Sequence, residues 1–67
     1  MIEIVLNGKE RSVEAGLTLA ALIAGLELDS SRLAVERNRR VVPRSSFASE
    51  PVQAGDRIEI VTLVGGG

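Results

Sequence analysis

Neither cysteine nor histidine occurs in the 67 residues, and Phe47 is the only aromatic side chain. Each absence removes a class of chemistry. Without cysteine there is no disulfide framework, no thiol nucleophile and no thiolate ligand. Without histidine the usual general base and the commonest metal ligand are gone as well. A net charge of −1 creates no field that would draw nucleic acid or an anionic membrane. No apolar run approaches the ~20 residues that cross a bilayer. The opening "MIEIVLNGKE" carries an early acid and an alternating pattern, which is not that of a secretory signal. The expected location is the cytoplasm, with neither nucleic acid nor membrane among the partners.

The nine acidic residues are scattered along the chain. A catalytic carboxylate pair among them would still need a cleft. A domain of this size buries only about 60% of its unfolded surface, so it has little core to spare for one. The chain is therefore read as a non-enzyme that binds no metal and no cofactor. An apolar share of 45% nevertheless suits a globular domain.

What is present is a series of local patterns. Ile2, Ile4 and Leu6 alternate with polar or outward positions, the period-2 signature of a strand. Asn7-Gly8 follows, a dipeptide that accepts positive φ at both centres of a type I′ hairpin. The return strand is expected at Lys9 to Glu14, with Val13 inward. After Ala15-Gly16 the period changes. Leu19, Leu22, Ile23 and Leu26 fall at i, i+3, i+4 and i+7, one face of a helix. Thr18 stands where an N-cap belongs, Leu17 and Leu22 are spaced for a hydrophobic staple, and Gly25 is placed to end the helix.

"ELDSSR" reads as a polar connector. Leu33 and Val35 mark a third strand, Asn38-Arg39 a turn, and Val41-Val42 a brief fourth strand ended by Pro43. "RSSFASE" is expected to form a helical turn capped by Ser45, with Phe47 dropping into the core. After the turn at Ala54-Gly55-Asp56, Ile58, Ile60, Thr62 and Val64 alternate through the last strand. The order is hairpin, helix, two short strands, helical turn and final strand. It predicts an α+β fold of the β-grasp type, a mixed sheet of four to five strands on one short helix, with the first and last strands parallel. Residues 1–64 form the domain and 65–67 a glycine tail.

Arg37, Arg39, Arg40 and Arg44 make the one dense basic patch. Nucleic-acid binding would call for interleaved aromatics or a supporting net charge, and the patch is read as a solvated turn. In the last strand, Arg57, Glu59, Val61 and Leu63 are expected on the outer face, charged at first and apolar at the end. Val5 is expected nearby. Contiguous exposed apolar side chains mark a docking surface, so Val61, Leu63 and Val5 are the candidate docking residues.

The ending, Gly65-Gly66-Gly67, stabilises nothing, because glycine loses ordering entropy and packs no side chain. Its advantage is slimness. Three residues reach up to about 10 Å through a channel too narrow for a Cβ and end in an ionised, unhindered carboxylate. Adenylation by ATP would activate that carboxylate as an acyl electrophile. In a chain without cysteine, an acyl cargo would most naturally ride there.

End to end, these residues resemble the ThiS family of thiamine-biosynthesis sulfur carriers. The resemblance is carried by "IVLNG", "LTLAALIAGL", "LAVERNRRVVPRSSF" and "VQAGDRIEIVTLVGGG". It implies a ubiquitin-like β-grasp without catalysis of its own. A ThiF-like ATP-dependent enzyme would adenylate Gly67, and Gly66 and Gly65 would thread into the partner. A sulfur donor system fed by a cysteine desulfurase would form the thiocarboxylate, and thiazole synthase would accept the sulfur. The family needs only Gly66 and Gly67, so Gly65 is read as a spacer, and with nothing after Gly67 no processing step is expected. The alternatives are the small subunit of molybdopterin synthase, a carrier for another sulfurated product, or a ubiquitin-like protein modifier. The molybdopterin family tends to place a proline-rich stretch before its Gly-Gly, where this chain has Thr62-Leu63-Val64.

Overall fold

Five strands, one α-helix and two 3₁₀ turns make up the framework of the computed structural model, which describes residues 1–63. Strands β1 (Ile2–Leu6) and β2 (Lys9–Val13) form the opening hairpin. Helix α1 spans Leu19–Gly25, and a 3₁₀ turn at Ser30–Arg32 leads into β3 (Leu33–Arg37). Strand β4 (Arg40–Val42), a second 3₁₀ turn (Arg44–Ser49) and β5 (Arg57–Thr62) complete the order. The sheet runs β2-β1-β5-β3-β4, with β1 and β5 parallel and the other neighbours antiparallel. This is the expected ubiquitin-like β-grasp, with the last strand at the centre.

Both hairpins turn through left-handed residues. Asn7 (φ 49°) and Gly8 (φ 83°) close β1 to β2, and Asn38 (φ 53°) and Arg39 (φ 70°) close β3 to β4. Positive φ at both central positions matches the right-handed twist of the flanking strands. Arg39 holds the more demanding of these conformations, since a Cβ is disfavoured there.

The core lies between the sheet's inner face and α1. Ile4, Val35 and Ile58 rise from the sheet to meet Leu19 and Ile23, all at most 2% exposed, with Phe47 sealing one end. Thr18 caps the helix as expected, its Oγ1 accepting from Ala21 N–H at 3.1 Å. The segment before β5 is tied to the helix start by Leu19 N–H to Glu50 C=O and Val52 N–H to Leu17 C=O. Val52 is thereby buried, a core position not expected from its short, unpatterned context.

The structure corrects one local expectation and refines two. Gly25 ends α1, as expected. It is the last helical residue, and the left-handed position belongs to Glu27 (φ 60°). Glu27 N–H bonds Ala24 C=O and Leu28 N–H bonds Ile23 C=O, the paired bonds of a Schellman stop. Ser45 does not cap the second 3₁₀ turn, which starts from Pro43 without a side-chain cap. The polar connector after the helix contains a 3₁₀ turn at Ser30–Arg32, which Asp29 caps through Ser31.

Candidate functional site

Strand β5 precedes the glycines, and two asparagines from opposite sides of the sheet hold it. Asn7 Oδ1 accepts from Ile60 N–H at 2.8 Å, and Asn38 Oδ1 accepts from Arg57 N–H at 2.9 Å. Asparagine serves doubly at both places. It tolerates left-handed backbone, and its amide oxygen reaches a backbone donor that the ladder leaves open. Ile58 and Ile60 then anchor the inner face of β5.

The outer face follows the expected alternation, and the pairing register gives it an order. Glu59 lies opposite Glu36, and Val61 opposite Ala34. Next comes Leu63, whose N–H donates to Arg32 C=O at 2.7 Å. Val61 and Leu63 are 58% and 51% exposed, and Val41, beside Glu36 on β4, is 72% exposed. Side chains of this kind left in water suit a face that a partner covers. The two glutamates make no ion pair among the described residues. Directly opposed like charges cost stability in an isolated sheet.

Val5 is not brought to the apolar end. It pairs with Arg57, four residues before Val61, or about 13 Å along the strand at ~3.3 Å per residue. Val61 and Leu63 thus stand together, while Val5 sits at the charged end of the row. Gly65, Gly66 and Gly67 lie outside the described residues.

Arg44 Nη1 donates to Ser31 C=O at 3.2 Å, joining the second 3₁₀ turn to the first. Hydrogen bonds from the Ser31 hydroxyl and N–H hold the Asp29 carboxyl below its ordinary value, with Arg32 and Arg44 adding to the effect. The basic patch read from sequence is therefore divided. Arg39 and Arg40 are exposed, Arg44 joins the two turns, and Arg37 is drawn inward.

Arg37 is the centre of a network that the sequence did not reveal. Its Nη1 meets Glu50 Oε1 at 2.7 Å and its Nε meets Asp56 Oδ2 at 3.1 Å. Asp56 is buried and also accepts from Gln53 N–H at 2.8 Å and Asn38 Nδ2 at 3.2 Å. The carboxylate is thus fully engaged, as a buried charge must be. Its role is to lock the β3–β4 turn against the turn that launches β5. The available signal was the Ala-Gly-Asp turn, but nothing local distinguishes an exposed turn aspartate from a buried one.

Comparison with known proteins fits this geometry. The ThiS family model matches residues 4–67. The sulfur carrier protein ThiS of Escherichia coli is 30% identical over 66 residues, covering 98% of this chain and 100% of the relative. A thiazole synthase of Paramagnetospirillum magneticum is 47% identical over 66 residues, but this chain spans only 20% of its length. The crystal structure of the thiamine biosynthesis protein ThiS from Geobacter metallireducens superposes with a TM-score of 0.85 at 29% identity, covering 98% of this chain and 100% of that one. With residues 4–67 matched by the family model and the fold shared with a solved member, the chain belongs to the ThiS family.

Proposed function

We propose that this chain is a sulfur carrier for thiamine biosynthesis and that Gly67 bears the cargo. The observation that carries the reading is the outer row of β5, which turns from charged to apolar at Val61 and Leu63 immediately before the glycines. A partner that takes hold of the C-terminus must also touch this row. The chain itself has no cysteine or histidine. Its contribution is the acyl group and the surface that presents it, and the reacting groups come from partners.

The chemistry balances in two steps. A Gly67 carboxylate oxygen attacks the α-phosphorus of ATP, the bond to pyrophosphate breaks, and an acyl adenylate forms in the adenylating enzyme. Desulfurase-derived persulfide sulfur, reduced to the sulfide level by a partner thiol that is itself oxidised to a disulfide, then adds at the acyl carbon. The C–O bond to AMP breaks, leaving a C-terminal thiocarboxylate. Thiazole synthase is the proposed acceptor, and the relative bearing that name supports the choice. The carrier needs no bound cofactor, since ATP belongs to the activating enzyme.

The test combines two measurements on the full chain. Pyrophosphate exchange with a purified adenylating enzyme reports activation. Intact mass after addition of the sulfur donor should show one oxygen replaced by sulfur, and thiazole synthase should reverse that change. An isopeptide on a target lysine would mark a modifier instead, and absence of pyrophosphate exchange would refute both readings.

A further inference from the structure

In β5 the hydrogen-bonding groups alternate sides. Asn38 N–H to Arg57 C=O and Leu63 N–H to Arg32 C=O show that the odd-numbered residues face β3. The groups of Ile58, Ile60 and Thr62 therefore face β1. On that side pairing is short, with only Val5 opposite Arg57 and Leu6 opposite Ile58. Asn7 extends it by two bonds, from its N–H to Ile58 C=O and from Ile60 N–H to its Oδ1. There β1 turns away into the hairpin while β5 continues. Among the described residues no strand lies beside Ile60 C=O or the N–H and C=O of Thr62.

The sheet's two outer edges are treated differently. β2 carries Lys9, Glu10 and Arg11, and β4 has three residues and is followed by Pro43. Charge, brevity and proline are the usual means of discouraging strand addition. The open edge of β5 at Ile60–Thr62, though as short as β4, carries neither charge nor proline. Thr62 is the exposed residue there, and only Leu63 and Val64 separate it from the glycines.

We propose that this edge is a docking strand, and that the adenylating enzyme adds an extended segment of its own chain along Ile60–Thr62 in the line that β1 vacates. The proposal rests on the sulfur-carrier reading. Gly67 is four residues beyond Leu63, at most about 14 Å of chain. An enzyme holding the Gly67 carboxylate at its active centre thus has its channel mouth close to Thr62. Backbone donors and acceptors of a strand edge are matched by another extended backbone, with side chains adding specificity. The added strand grips β5 by its edge while Val61 and Leu63 meet the enzyme by their side chains. Together they fix the direction in which the tail enters.

Amide hydrogen exchange on the intact chain, free and bound to an adenylating enzyme that activates it, tests the idea. In the free chain Leu63 N–H should be protected and Thr62 N–H should exchange rapidly. In the complex Thr62 should become at least about tenfold slower. Thr62→Ala should bind normally because the backbone is intact. Thr62→Pro should fold, because it breaks no bond to β3, but should bind about two- to tenfold more weakly per backbone bond lost. Unchanged Thr62 exchange in an active complex would overturn the inference while leaving the carrier reading in place. So would protection only with thiazole synthase, or concentration-dependent protection in the free chain, which would mean self-pairing. Failure of the wild-type chain to be activated by any such enzyme would remove the carrier reading and this inference with it.

Discussion

Asp56 shows how much one side chain can hold. Its carboxylate accepts from Arg37, Asn38 and the Gln53 backbone while 6% exposed. Asp56→Ala leaves three donors around an empty space and should cost about 3 kcal/mol, the lower end for breaking a buried pair. A urea titration checks this, and a wild-type midpoint would show that the network is dispensable. Glu27 poses the opposite case. It occupies the left-handed position of the α1 stop, where a side chain costs about 1–2 kcal/mol and glycine only its extra unfolded-state entropy, about 0.5–1 kcal/mol. Glu27→Gly should therefore stabilise the fold modestly, by about 0.5–1 kcal/mol, read from the same titration. Asp29 gives a pH dependence of known sign. Its carboxyl is lowered by Ser31, so the cap it provides is complete above the ordinary carboxylate range and is lost as pH falls through the lowered value. The protection factor of the Ser31 amide, followed from neutral pH downward, should fall only in that acidic window.

At the scale of elements, α1 is the weakest on its own and the most dependent on its neighbours. Seven residues are too few for a stable helix in water, so the buried stripe of Leu19, Leu22 and Ile23 maintains it. Ile23→Ala should cost roughly 2–5 kcal/mol as a large-to-small core change. Total stability for a chain this short is about 3–10 kcal/mol at 0.05–0.15 kcal/mol per residue. The variant should accordingly lose a large share of its stability, which a urea titration followed by circular dichroism would reveal as a lowered midpoint. Strand β5 contrasts with α1. Its pairing to β3 runs from Arg37 opposite Ile58 to Leu33 opposite Thr62, and it takes turn asparagines from both sides. A strand so held offers a rigid platform for its outer row, as a site that must orient a tail requires.

For the whole molecule, the proposed division of labour is between a core that folds and a terminus that is delivered. The two can be separated by mutation. Val61→Asp changes an exposed side chain and should leave the unfolding midpoint nearly unchanged, while weakening binding to the adenylating enzyme. Gly66→Val should also fold, but pyrophosphate exchange should fall steeply. A branched Cβ restricts the backbone and fills a close-fitting channel, and a misplacement of 1 Å can cost about a hundredfold in a positioned reaction. Wild-type exchange rates for Gly66→Val would reduce the glycines to a frayed end.

The sequence alone determined whatever depends on near neighbours. Strand and helix periods, the Asn7-Gly8 turn, the Thr18 cap and the inward Phe47 all follow from residues a few positions apart. Those patterns, taken in order, also select the β-grasp topology, because one apolar helix stripe and alternating strands can bury their faces in few ways. Tertiary structure decided what depends on distant groups meeting. Arg37 reads as one more surface arginine until packing sets it 19 residues away against Asp56. Asn7 reads as a turn residue until β5 brings Ile60 to its amide. Val5 reads as a companion of Val61 until the parallel register places it beside Arg57. In each case the energy comes from closing a hydrogen bond or choosing a register between segments far apart in the chain. Local propensity carries no record of that choice.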